Sequence, residues 1–276
     1  LRCGSSLMAS DLGNTATEQC DISATIALDP WPAPMRVVDH SFANPADNLA
    51  YDELLLDDAE SGRGAATLRI WESPRPFIVL GVSQVLREHV NVAACIEGGV
   101  SILRRSSAGG CVMQGPGSIN FALVLSHERF PEIGTIRGSY CFILGRLMAA
   151  LRERGINASH KGTSDLAVSG KKISGNAQRR RKRFILHHGT LLYDMDPELM
   201  ERYLIEPDDR PQYRGQRTHR GFVKCLSLTS SEIRDTFLRA FAAPGTQPDT
   251  PTKTELSAVK ALAKERFETQ DWINRR

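Results

Sequence analysis

Between positions 118 and 154 the apolar period of this chain changes once, and that change narrows the folds open to it. Ser118-Ile-Asn-Phe-Ala-Leu-Val-Leu125 alternates with period two, as a strand does. Beyond it, Tyr140, Leu144, Leu147, Met148 and Leu151 recur at helical spacing, and Gly155 supplies a C-terminal stop. The helix is expected over 139–154. Further strand patterns fall at 68–71, 77–80, 100–105, 166–168 and 185–193, with a charged turn between the last two. Asn44-Pro45 offers an N-cap followed by proline at the first helical position, and 230–241 and 255–267 are helical around a Pro-rich stretch. Strands mixed with helices and joined by short turns predict an α/β (α+β) domain, with one mostly antiparallel central sheet flanked by helices.

Composition removes whole classes of function. No apolar run approaches the roughly 20 residues of a membrane-spanning helix, so no membrane partner is expected. The 35 Lys and Arg against 32 Asp and Glu leave a net charge of +3, too balanced for a binder that lives on phosphate neutralisation. No nucleic-acid partner is expected. Six cysteines show no CxxC or other metal spacing and read as reduced thiols, with no metal site. The first 30 residues carry neither a basic transit pattern nor a long apolar stretch, so the expectation is cytoplasmic. Residues 1–34 lack periodicity and end in Pro30-Trp-Pro-Ala-Pro34, which reads as a flexible N-terminal arm. Residues 35–276 read as one domain.

Three segments can carry chemistry. Arg104-Arg-Ser-Ser-Ala-Gly-Gly-Cys-Val112 lies between two strands. Its glycines let backbone N–H groups approach an anion, and an arginine supplies forked donors; a tight turn with solvated arginines is the bland alternative. Ser164-Asp-Leu-Ala-Val-Ser-Gly-Lys-Lys-Ile-Ser-Gly-Asn-Ala-Gln178 either points a lysine into a cleft or forms an exposed hairpin. In Ile185-Leu-His-His-Gly-Thr-Leu-Leu192, strand alternation sends His187 and His188 to opposite faces, so the pair cannot chelate one ion.

Jointly and in this order, these segments resemble the lipoate–protein ligase branch of the biotin/lipoate protein ligase superfamily. That family carries an R-R-x-S-G-G-x-x-V loop, a G-x-K-[IV]-[SA]-G-x-A-Q segment and an H-H-G-T-L-L strand, matched here by 104–112, 170–178 and 187–192. Asn48-Leu-Ala-Tyr-Asp-Glu53 is a lesser echo, and Glu265-Arg-Phe-Glu-Thr-Gln-Asp-Trp-Ile-Asn274 is similar to the family's closing helix. The resemblance spans about 36–274 and implies the fold of biotin ligases and class II aminoacyl-tRNA synthetases.

It also implies a function: ATP-dependent activation of lipoate to lipoyl-adenylate, with Mg2+, then transfer to a lysine of a lipoyl-carrier protein domain. By that resemblance Lys172, and not Lys171, is the catalytic residue. Arg105, Ser107, Gly109, Gly110, Cys111, Val112 and Met113 form the nucleotide- and lipoate-contacting loop. Asn120, Asp165 and Gly175, with His188 and Gly189, complete the expected binding set. Ala108 replaces a loop glycine, and Met113-Gln114-Gly115-Pro116 replaces the family's aromatic-His-Asp run. Against that resemblance no separate C-terminal accessory domain is expected after the closing helix, so an accessory subunit is a candidate partner. The alternative is an octanoyl/lipoyl transferase drawing on acyl carrier protein without ATP. Such enzymes use a cysteine shortly before the lysine, where Gly155-Ile-Asn-Ala-Ser-His-Lys-Gly162 has none. Cys141 is expected in the helix core, and Cys111 is a second candidate nucleophile. Arg179-Arg-Arg-Lys-Arg183 is either a solvated hairpin tip or a basic rim that steers an acidic carrier.

Overall fold

The computed structural model describes residues 28, 29, 31, 32, 34–208 and 210–276, so most of the expected arm lies outside the described residues. The strands are β1 (Arg36–Asp39), β2 (Thr67–Glu72), β3 (Phe77–Leu80), β4 (Ser101–Arg104), β5 (Val112–Gln114), β6 (Ser118–Ser126), β7 (Ser159–Lys161), β8 (Asp165–Val168), β9 (Lys171–Arg180) and β10 (Phe184–Leu192). The helices are α1 (Pro45–Ser61), α2 (Leu86–His89), α3 (Val92–Glu97), α4 (Ile136–Glu153), α5 (Pro197–Tyr203), α6 (His219–Phe222), α7 (Ser230–Phe241), α8 (Lys253–Leu262) and α9 (Gln270–Ile273). Seven strands pair in the order β1-β2-β6-β10-β9-β8-β7, antiparallel except for β1 with β2.

All nine residues of β6 are buried, because packed layers cover both faces of this strand. Phe121, Leu123 and Leu125 face a layer containing Leu144 and Leu147 of α4 and Phe237 and Phe241 of α7. Ala122 and Val124 face the opposite layer, with Leu55 and Leu56 of α1 and Val259 of α8. Helices thus cover the sheet on both sides. Each large side chain so buried contributes about 1.5–3 kcal/mol. The helix ends follow local chemistry: the Asn44 side chain accepts from the Ala46 amide, and Thr229/Glu232 and Thr252/Glu255 form capping boxes.

Three expectations change. The single sheet is joined by a second, three-stranded one in the order β4-β3-β5, which packs its own apolar cluster against α3 and α5. Residues 171–180, expected as a turn, form the long strand β9, and the charged turn shrinks to the link before β10. Trp31 is buried against Phe130, Phe142 and Phe241, so the described end of the arm is anchored by an aromatic side chain.

Candidate active site

Lys172 stands near the start of β9, with its side chain about one quarter exposed. A register shift between Leu166 and Ala167 interrupts the β8–β9 ladder beside it. Such irregularities re-aim side chains. The Lys172 Nζ pairs with Asp165 Oδ1 at 2.8 Å, and Asp165 Oδ2 accepts from the Tyr213 hydroxyl at 2.7 Å. Burial and the neighbouring Asp165 charge push the Tyr213 hydroxyl well above its ordinary pKa, so it stays a donor. Lys171 is exposed on the turn side.

Opposite stands the 104–111 loop. Arg105 is buried, and its donors go to the loop itself: Nε to Ser107 Oγ at 2.9 Å, Nη2 to the Ala108 and Gly110 carbonyls at 2.8 and 2.9 Å, Nη1 to the Val79 carbonyl at 3.3 Å. Burial lowers its guanidinium to about 10. The loop's left-handed residue is Gly109, φ 96°, a conformation glycine adopts freely. Ala108 is not left-handed, which is why alanine is tolerated there.

Ser107 Oγ accepts from Arg105 Nε and lies 2.6 Å from His188 Nε2, across the ring from Nδ1. That nitrogen faces Asp52 Oδ2 at 3.7 Å, and Asp52 Oδ1 pairs with buried Arg69 at 2.5 Å. Ser107, His188, Asp52 and Arg69 therefore lock loop, β10, α1 and β2 together. Gly189 is required beside His188, because a Cβ there would lie 1.8 Å from Asn176 Oδ1.

Two adjoining cavities meet at Lys172. An inner one of about 140 Å³ is lined by Leu49, Trp71, Val79, Phe121 and Ala177, with Asp52, Arg105, Asn120, Asn176, His188 and Gly189. An outer one of about 750 Å³ opens toward Met113, Met200, Leu204, Phe222, Val223, Arg214 and His219. Gly109, Gly110, Cys111, Val112, Asp165, Lys172 and Gly175 wall both. The structure thus brings together the expected set, except that Ser107 sits behind the wall, 1% exposed. The outer wall from α5 to α6, Tyr213, Asp52 and Trp71 were outside the expected site set, although the 48–53 echo holds Asp52 and the 68–71 segment, a further echo of the family, holds Trp71.

The cysteines and His187 lie apart from this chemistry. Burial pushes the Cys111 thiol up to about 12, against the pull of Arg105. Cys141 is half-buried on α4, which corrects the core expectation for that residue, while Cys95, Cys111 and Cys225 carry free thiols. His187 is buried between Phe121 and Tyr140 and accepts from Gln178 Nε2 at its Nδ1. Burial lowers it to about 3. Among the described residues, no group of three or more His, Cys, Asp or Glu stands where it could hold a metal ion. A magnesium carried in on phosphates needs only one or two carboxylates, and Asp165 is one on the cavity wall. No described helix is long and apolar enough to cross a membrane.

Comparison with known proteins agrees with this architecture. Residues 44–242 match the family model described as the lipoyl protein ligase A/B catalytic domain, and the chain belongs to that family of lipoate–protein ligases and octanoyltransferases. Among its relatives, octanoyltransferase LipM of Carboxydothermus hydrogenoformans is 30% identical over 268 residues, covering 87% of this chain and 98% of that protein. Lipoate-protein ligase LplJ of Bacillus subtilis is 28% identical over 208 residues, covering 72% of this chain and 61% of that protein. A bi-partite lipoate protein ligase structure from Thermoplasma acidophilum superposes with a TM-score of 0.73 at 24% identity, over 87% of this chain and 96% of that one. The fold is shared.

Proposed function

We propose that this chain transfers an octanoyl or lipoyl group onto a lysine of a lipoyl-carrier domain, with Lys172 as its catalytic cation. The observation that carries this reading is the meeting of the two cavities at the Lys172 ammonium. The inner cavity, with Leu49, Trp71, Val79 and Phe121, suits an acyl chain. The outer one suits the bulkier activating group. Attack by the carrier lysine on the acyl carbonyl develops negative charge on oxygen, and a fixed cation there lowers the barrier. Asp165 and Tyr213 hold that cation in place without burying it.

The octanoyl group on a carrier thioester draws support from the similarity to LipM, which runs nearly end to end. A second reading, lipoate activated by ATP, draws support from Cys111. Among the described residues it is the cysteine that lines the cavities, and a thiol held near 12 is almost wholly protonated at neutral pH. Transfer without an enzyme thioester fits an acyl-adenylate. In that case ATP would supply the adenylyl group, Lys172 would hold the acyl carboxylate and α-phosphate, and the Gly109–Gly110 backbone would approach the phosphates. The acceptor's mass gain separates the two. A gain from octanoyl carrier protein alone supports the first, a gain only with ATP and free acid supports the second, and no gain from either rejects the proposal.

A further inference from the structure

The cleft loop is gripped from outside by residues that lie beyond the 44–242 family match. We infer that the segment from Arg266 to Ile273 is a clasp that positions the 104–110 loop, with Arg104 and Trp272 as positioning residues for the acyl-donor site. Arg104 is fully buried. Its Nε and Nη2 donate to the Ile273 carbonyl at 3.0 and 2.7 Å, and its Nη1 donates to the Gly81 and Gln84 carbonyls at 2.8 and 2.7 Å. The Trp272 ring nitrogen donates in return to the Arg104 carbonyl at 2.7 Å. The bond is reciprocal.

One residue pair further on, Ser106 donates to buried Glu53, which also receives Arg179 at 2.8 Å and Arg266 at 3.4 Å. Arg266 lies 3.9 Å over the Trp272 ring, so the Glu53 cluster and the Arg104–Trp272 pair are one unit. Residues 104 and 106 are thus tied outward to the C-terminal segment, while 105 and 107 are tied inward to the cavity wall. Alternate residues of one short loop are held from its two sides. A forked guanidinium is needed for this, since a lysine ammonium cannot span Ile273, Gly81 and Gln84 in that plane. Residues 263–267, which run into the start of the clasp, form a π-helical turn, a local irregularity frequent at functional sites.

The link to the donor site rests on the acyl-transfer reading; the mechanical link does not. Trp272→Phe keeps the ring between its arginines and removes only the N–H. In the full chain, hydrogen exchange of amides 105–111 should rise about tenfold while β6 and β10 stay unchanged. KM for the acyl donor should rise about tenfold, with kcat and the carrier KM within twofold. Arg104→Lys should reproduce both effects more strongly. Unchanged loop exchange in folded Trp272→Phe, or a rise spread evenly over the molecule, overturns the clasp. If wild-type protein modifies no acceptor, the acyl-transfer reading fails, and the exchange result still decides the clasp.

Discussion

Two cations face one cleft, and they are held in opposite ways. Arg105 is 7% exposed with its donors spent on Ser107 and three carbonyls, whereas the Lys172 side chain is 26% exposed with one carboxylate partner. A buried arginine satisfied by its own loop shapes the backbone. A partly exposed lysine on a strand can trade its carboxylate for a substrate anion at little cost in stability. The loop therefore supplies form and the strand supplies charge, a division that the two motifs, both basic and glycine-bearing, do not display.

The sharpest way to break that contrast is to replace each of the two side chains in turn. Lys172→Ala should lower kcat/KM for acceptor modification about 1,000-fold with little change in melting temperature. Lys171→Ala should match wild type in the same steady-state assay. Arg105→Lys should do the reverse: denaturant titration should show a loss of about 3 kcal/mol, because carbonyls lose buried donors, with activity falling only as the loop loosens. Equal stability losses for the Lys172 and Arg105 variants would erase the distinction.

The same contrast of dry and wet environments recurs on adjacent residues of β10. His187, lowered to about 3 by burial, stays neutral when folded, while the unfolded chain takes up a proton near 6.5. Between those values the unfolded state binds more protons, so stability is greatest above pH 6.5 and is lost as pH falls toward 3. The expected loss is about 2 kcal/mol by pH 5, and His187→Gln should remove that part of the slope in urea titrations. The smallest effect is expected at the basic run. Arg179 and Arg181 already pair with Glu53 and Asp57, and Arg180 donates to the Ile133 and Gly134 carbonyls. Arg181→Glu should therefore lower kcat/KM for the carrier about twofold at low salt and not at all at high salt.

What the chain displayed beforehand follows the strength of local signals. The 118–125 alternation, the Asn44-Pro45 cap and the Gly155 stop each have a local cause and reappear in the structure. β9 was hidden because Ser174-Gly-Asn-Ala177 is too small and polar to alternate by itself; it is a strand because β8 and β10 flank it. The second sheet needs β3 to pair with β4 and β5 across intervening chain, which no local pattern encodes. The outer cavity wall consists of helices of seven and four residues, too short to show a period. The expected site residues came from motif register, while Asp52, Tyr213 and Trp272 act through long-range contacts.

The central claim is that Lys172 drives acyl transfer while Cys111, the cysteine on the cavity wall among the described residues, does not carry the acyl group. Intact-mass analysis of an acceptor domain, incubated with its productive donor and wild-type, Cys111→Ala or Lys172→Ala protein, tests it most directly. The account predicts one acyl mass added by the wild-type and Cys111→Ala proteins and none by Lys172→Ala. Loss of transfer in folded Cys111→Ala, with an acyl adduct trapped on Cys111 of the parent, would contradict it.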